Sequence, residues 1–176
     1  VLDLVDKGLV TDQMVLTIGY DIENLTDLKR REQYHGDIVT DRYGRKIPKS
    51  AHGSVNIGRF TSSAKLATET VLKLYDTIID QNLLVRRLSL TANHVVPEGS
   101  EQTRKKPQQL DLFTDYEVLE KKEQEEKAAL DKEKKMQQAM LQIKKKFGKN
   151  AILKGMNLLD GATAKERNEQ IGGHKA

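Results

Sequence analysis

From residue 115 to residue 147 the chain is built almost entirely of charged and polar helix formers, too poor in apolar side chains to bury a face along its length. Glu117 and Lys121, Glu123 and Lys127, and Asp131 and Lys135 stand four residues apart with the acid leading, the favourable order on a helix surface. A long solvated helix is expected, with an apolar stripe only at its end: Met136, Met140, Ile143 and Phe147. That stripe calls for a partner, whether the preceding domain, a second copy or another protein. Any sizeable core is therefore confined to the residues before this helix, which fits a chain of 176 residues with 37% hydrophobic and 32% charged residues.

Before residue 98 the apolar spacing changes several times, and each change marks an element. Val1, Leu2, Leu4 and Val5 read as the end of a helix stopped by Gly8. Met14, Leu16, Ile18 and Tyr20 then alternate with Val15, Thr17 and Gly19, the period of a strand with one buried face. Residues 24–50 are polar and basic, and Asp41-Arg42-Tyr43-Gly44 is a turn that Ile38-Val39 and Ile47 would flank as a short hairpin. Residues 52–60 form a second strand, with Val55 and Ile57 on one face and Ser54, Asn56 and Gly58 on the other. Thr61, Ser62 and Ser63 supply N-cap hydroxyls, after which Ala67, Val71, Leu74, Tyr75 and Ile78 recur at helical spacing. A third strand over 84–94 would turn Leu88, Leu90 and Ala92 inward and Arg87, Ser89, Thr91 and Asn93 outward. The expected fold is α+β: an antiparallel sheet with helices on one face, then the long charged helix and a tail.

The open face of such a sheet would show Ser54, Asn56, Arg87, Ser89, Thr91 and Asn93, small polar groups with one cation. Near it the charge is uneven. Through Asp27 there is one base, Lys7, against six acids, whereas residues 29–65 hold nine bases against Glu32, Asp37 and Asp41, about +6. Concentrated positive charge beside a polar face suits phosphate. With no aromatic side chain at those face positions to stack bases, backbone contact is favoured over base reading, and a stand-alone RNA-binding role is weakened. The residues expected to meet duplex backbone are Arg42, Arg45, Lys46, Lys49, Ser54, Asn56, Arg59, Thr61, Ser62, Arg87, Ser89 and Asn93.

The composition shifts again at residues 98–108, a linker holding Gly99, Pro107 and the basic trio Arg104-Lys105-Lys106. It leads to Gln109-Leu110-Asp111-Leu112-Phe113, an isolated apolar pentapeptide with an amide at its head and nothing local to pack on, which is the chemistry of a docking peptide. The chain thus divides into a domain over 1–97, the linker, the peptide over 109–113, the charged helix over 114–149, and a tail over 150–176. In the tail a short helix around 152–159, a break at Gly161, and a capping box of Thr163 with Glu166 are expected.

Two of these features resemble known families. The pentapeptide is similar to the QLSLF or QLDLF peptide with which bacterial DNA polymerases and repair proteins bind the β sliding clamp. The run Ala51-His52-Gly53-Ser54-Val55-Asn56-Ile57-Gly58-Arg59-Phe60-Thr61, together with Arg86-Arg87-Leu88-Ser89-Leu90, resembles the little-finger domain of Y-family translesion DNA polymerases, in detail the UmuC-like branch, also called ImpB/MucB/SamB. The tail is similar to that branch as well. The resemblance implies a sheet that grips template and primer backbones, a clamp tether behind it, a role in translesion synthesis, DNA repair and the SOS response, and binding to damaged DNA. It also implies that polymerase chemistry, with Mg²⁺ held by palm carboxylates, belongs to the parent enzyme and not to these residues. The opening strand of the little finger is missing from the chain, and its start at Val1, inside an apolar-periodic stretch, reads as that of a fragment.

No catalytic residue, metal ligand or cofactor is expected within the chain itself. Asp3 and Asp6 read as a solvated helix face, and His35, His52, His94 and His174 have no common metal spacing. Cys is absent, which excludes disulfides and thiolate metal sites. There is neither an apolar run of about 20 residues nor a signal-peptide pattern, so a cytoplasmic protein without membrane contact is expected. An alternative of another class stands beside the polymerase reading: a protein-interaction module that self-associates or docks a partner through the long helix.

Overall fold

The computed structural model describes the backbone of residues 1–100, 116–171 and 174–175, and the side chains of 1–100 and 120–170. The chain falls into two compact units, one of Val1 and Gly8–Lys106, the other of Leu2–Lys7 and Pro107–Ala176. Helix α1, Leu2–Asp6, which the sequence assigned to the first domain, groups with the second unit.

The first unit is α+β, as expected. Its centre is β1, Leu9–Tyr20, flanked antiparallel by β4, Ala51–Thr61, and β5, Val85–Asn93. Strict alternation is visible in β1: Met14, Leu16, Ile18 and Tyr20 are buried, while Gln13, Val15, Thr17 and Gly19 between them stay partly exposed. On the buried side, Leu16, Ile18 and Tyr20 pack under Val71, Leu74, Tyr75 and Ile78 of α4, Ala64–Ile78. Burying each such side chain stabilises the unit by roughly 1.5–3 kcal/mol, so this cluster sets the sheet's orientation. The cap expected for α4 is made by Ser63, whose hydroxyl accepts from the backbone N–H of Leu66 at 3.1 Å.

Two irregularities shape the sheet. Between Thr11 and Gln13 the pairing with β4 jumps from Thr61 to Asn56, so residues 57–60 bulge against a single residue of β1. Gly58 makes that bulge with φ at 91°, a conformation that costs a residue with a Cβ. On the other edge β5 stops at Asn93 and β6, Val96–Pro97, resumes on Leu9 and Val10 of β1. His94, with φ at 50°, occupies the break, and its Nδ1 lies 2.9 Å from Asp12 Oδ1.

The third strand corrects one expectation. Leu88 and Leu90 do stand on the helix-bearing side, opposite Ile18 and Leu16, yet they are 56% and 50% exposed. The reason is lateral: α4 packs over β4 and β1 and does not extend across β5.

Between β1 and β4 the polar stretch folds more than its composition suggested. Two short helices, α2 (Glu23–Thr26) and α3 (Leu28–Gln33), precede the expected hairpin of β2, Ile38–Thr40, and β3, Lys46–Pro48. Asp27 caps α3 by accepting from Arg30 N at 2.9 Å. Asn24 is fully buried, its amide bonded to the carbonyls of Asp21 and Leu84 and to the N–H of Leu84.

In the second unit α5, Tyr116–Phe147, is the expected long helix, and α1 packs against it. Lys145 pairs with Asp6 across the two helices, and Gln137 is buried between neighbours with its Nε2 donating to Glu133 Oε1 at 3.4 Å. The tail is knotted around Asn150, which donates to Lys165 O and Glu169 Oε1 and accepts from Asn168 Nδ2 at 2.7 Å. The expected helix over 152–159 is a single 3₁₀ turn, Gly155–Leu158. Thr163 precedes α6, Ala164–Asn168, but makes no side-chain cap, because its ψ of 0° lies outside the extended region an N-cap needs. A short hairpin of β7, Gln170–Ile171, and β8, His174–Lys175, follows.

Candidate nucleic-acid interface

The register of the three strands decides what the face opposite α4 presents. Gln13 of β1 stands opposite Asn56 of β4 and Asn93 of β5, and the three amides are linked. Gln13 Nε2 donates to Asn56 Oδ1 at 2.9 Å, and Asn93 Nδ2 donates to Gln13 Oε1 at 3.1 Å. In the next rows Val15 lies between Ser54 and Thr91, and Thr17 lies between His52 and Ser89, with Thr17 Oγ1 2.9 Å from His52 Nδ1. Arg87 stands opposite Gly19, which adds no side chain beside it. The result is a polar strip across all three strands, with a cation near one end.

Such a strip fits hydrogen-bond acceptors that arrive in a line. The linked amides fix one another's rotamers, and Asn56 Nδ2 keeps its donors without a partner among the described residues. Side chains pre-set in this way bond a ligand with less loss of conformational freedom.

Of the residues expected at the interface, Ser54, Asn56, Arg87, Ser89 and Asn93 share this face. Arg59 is exposed in the bulge that follows Asn56, and Ser62 is half-buried at the start of α4. Thr61 departs from expectation: it is 8% exposed, and its hydroxyl accepts from Ser63 N at 3.0 Å. It therefore builds the turn into α4 rather than the open face. Gln13, Thr17 and His52 were missed. Polar residues at alternate positions of the first strand were the available signal, but their neighbours depend on a register that the sequence does not state.

The basic residues of the hairpin divide into two kinds. Arg45 and Lys49 are ion-paired, Arg45 Nη2 to Asp41 Oδ2 at 2.7 Å and Lys49 Nζ to Asp37 Oδ2 at 2.9 Å. The Arg45 guanidinium, aided by the backbone N–H groups of Arg45 and Tyr43, holds the Asp41 carboxyl below its ordinary value. The hydrogen bond to Asp37 raises the Lys49 ammonium above its own. Lys46 is exposed on β3. Arg42 lies at the turn with its guanidinium 4.7 Å from the ring centre of Tyr43 and bonded to the Tyr43 hydroxyl, and Arg45 lies 5.2 Å from the same ring. Tyr43, 66% exposed between two guanidinium groups, is a further residue that sequence reasoning passed over.

A polar cleft of about 450 Å³ lies at the far side of α3, between Arg30, Gln33 and His35 on one wall and Asp80 and Asn82 on the other. Its acidic wall is self-satisfied, since Asp80 Oδ1 accepts from both nitrogens of Asn82. Among the described residues no three His, Asp or Glu side chains converge on a metal-sized site, and no helix is long and apolar enough to cross a membrane. The pentapeptide of Gln109, Leu110, Asp111, Leu112 and Phe113 lies outside the described residues.

Fold and strip together define an α+β sheet protein with a polar sheet face opposite α4. Comparison with known protein families, curated proteins and solved structures gave no match.

Proposed function

We propose that the chain is the non-catalytic, DNA-gripping and clamp-tethering portion of a Y-family translesion polymerase of the UmuC-like branch. The observation that supports this most is the strip from Asn56 through Gln13 to Asn93, continued by Thr17, Ser89 and Arg87 on the sheet face opposite α4. Amide and hydroxyl donors in rows, few charges and, among the described residues of the face, no Phe, Tyr or Trp suit sequence-independent contact with a phosphate backbone. Arg42, Arg45, Lys46, Lys49 and Arg59 add the electrostatic part, and Arg45 and Lys49 also hold the hairpin through Asp41 and Asp37. The pentapeptide at 109–113 tethers the same chain to a sliding clamp, and tethering raises the effective concentration of the sheet at the primer terminus, so two modest affinities combine.

The direct test titrates labelled duplex DNA with the chain at several salt concentrations. Binding that weakens steeply as salt rises is expected; weak binding with no salt dependence sinks the DNA-contact part. For the clamp, the double substitution Leu112→Ala with Phe113→Ala abolishes binding, and an unchanged affinity overturns the tether.

A further inference from the structure

The C-terminal half of α5 carries an apolar seam that the fold leaves bare. Met136 is 57% exposed, Ile143 37% and Phe147 67%, with Met140 half-buried beside them. Their spacing of four, three and four residues places all four within about 60° of arc on a helix of 3.6 residues per turn. A stripe that narrow is the a and d seam of a helix pair; an apolar face that lies in a lipid surface or a globular core spans roughly 100° or more. Helix α1 packs on another side of α5: Lys145, which meets Asp6, lies about 140° or more of arc from every residue of the seam.

What flanks the seam decides its occupant. In heptad terms Lys132 and Lys146 hold the g positions and Lys144 an e position, and Lys146 Nζ sits 5.2 Å from the ring centre of Phe147. Residues 132–147 contain six lysines and one acid, Glu133. Two copies of this segment would bring together two stretches of net charge +5, and antiparallel pairing about Ala139 would set Lys132 of one copy against Lys146 of the other, both of which oppose self-association. An acidic helix would meet opposite charge along both flanks.

We propose that the seam of Met136, Met140, Ile143 and Phe147 is a docking site for an amphipathic helix of another protein, with apolar residues at its a and d positions and Asp or Glu at e and g. About two heptads of contact bury less than a standard interface, so the complex is weak and dissolves as salt rises. The site is separate from the sheet face and does not rest on the DNA reading.

The test measures fluorescence anisotropy of a synthetic peptide of about 20 residues, with Leu at a and d and Glu at e and g, titrated with the full chain. A control peptide has Lys at e and g. The acidic peptide is expected to bind at least tenfold more tightly than the control, and to lose at least tenfold in affinity between about 50 and about 500 mM salt. The variant Ile143→Glu with Phe147→Glu, both on exposed positions and checked for retained helicity by circular dichroism, is expected to lose binding. Equal binding of the two peptides, or full binding by the double variant, overturns the proposal. So do two further outcomes: a dimer in sedimentation that the double variant abolishes, which assigns the seam to a second copy, or co-sedimentation with phosphatidylglycerol vesicles lost in the same variant, which assigns it to a membrane.

Discussion

Asn24 clamps Leu84 from both sides: its Nδ2 donates to the Leu84 carbonyl at 3.0 Å, and its Oδ1 accepts from the Leu84 N–H at 2.9 Å. One buried amide thus reinforces the entry to β5, where Asp21 N–H also donates to the Leu84 carbonyl at 2.8 Å just past the Tyr20–Val85 pair. A third bond, to the Asp21 carbonyl at 2.9 Å, fixes the same side chain to the end of β1.

Replacing Asn24 by Ala leaves the Leu84 N–H without its partner, while the Asp21 and Leu84 carbonyls each lose one acceptor bond and keep a backbone donor, Asn24 N for the first and Asp21 N for the second. One dry, unpaired N–H costs about 1–3 kcal/mol, so a loss of about 1–3 kcal/mol is expected. Denaturant unfolding gives the total, and hydrogen exchange at the Leu84 amide gives the local effect. A change below about 0.5 kcal/mol would show that the clamp is redundant.

Gly36 is set by its neighbour Tyr34. A Cβ at residue 36 would stand 2.7 Å from the Tyr34 hydroxyl oxygen and 2.8 Å from Cζ, closer than non-bonded atoms approach. Tyr34 has little room to yield, because it is buried and its hydroxyl donates to the Asp37 carbonyl at 2.6 Å. Gly36→Ala is expected to destabilise the first unit by about 1–3 kcal/mol, the usual cost of overpacking. Burial also holds the Tyr34 phenol above its ordinary pKa, so a displaced ring would titrate at lower pH, which an ultraviolet difference titration detects.

These two sites explain which parts of the fold were legible in the sequence. Periodicity revealed β1, β4 and α4 because each buries one regular face, and hydroxyls placed the cap at Ser63. Helices α2 and α3 were hidden, since neither buries an apolar stripe and both are held by polar bonds from Asn24 and Asp27, whose partners lie elsewhere or in the turn itself. Leu88 and Leu90 had the right period and the right side, but exposure depends on how far α4 reaches across the sheet, a tertiary quantity. For the candidate site, alternation was enough to group Ser54 with Asn56 and Arg87 with Ser89 and Asn93, whereas the inward turn of Thr61 and the row through Gln13 appeared only with the register and the fold.

The hairpin tip has a defined acid limit. Asp41 accepts from Tyr43 N and Arg45 N and pairs with the Arg45 guanidinium, and its carboxyl is held below the ordinary value of 3.8. A depressed pKa means that the folded hairpin favours the carboxylate. Its contribution is therefore fully present above the unfolded value and is lost as pH falls through the folded one. Amide resonances of Tyr43 and Arg45 should stay fixed from neutral pH to about pH 4 and shift together only below it. Asp41→Asn should remove that transition, and a transition that survives the substitution would assign it to another group.

Gln13 and Arg87 separate the two kinds of DNA contact that the sheet face offers. Gln13 links Asn56 to Asn93 and carries no charge, so Gln13→Leu leaves the electrostatics intact while releasing both asparagine rotamers. All three amides keep access to water, so stability should change by less than about 1 kcal/mol. Duplex affinity should fall by about threefold to tenfold with the salt slope unchanged, because the loss is one of positioning. Arg87, exposed opposite Gly19, acts as a charge. Arg87→Ala should weaken binding across all sequences and reduce the slope of log affinity against log salt by about one. If both substitutions leave the isotherms unchanged at every salt concentration, DNA does not lie on this face, and the contact belongs to the basic residues of the hairpin instead.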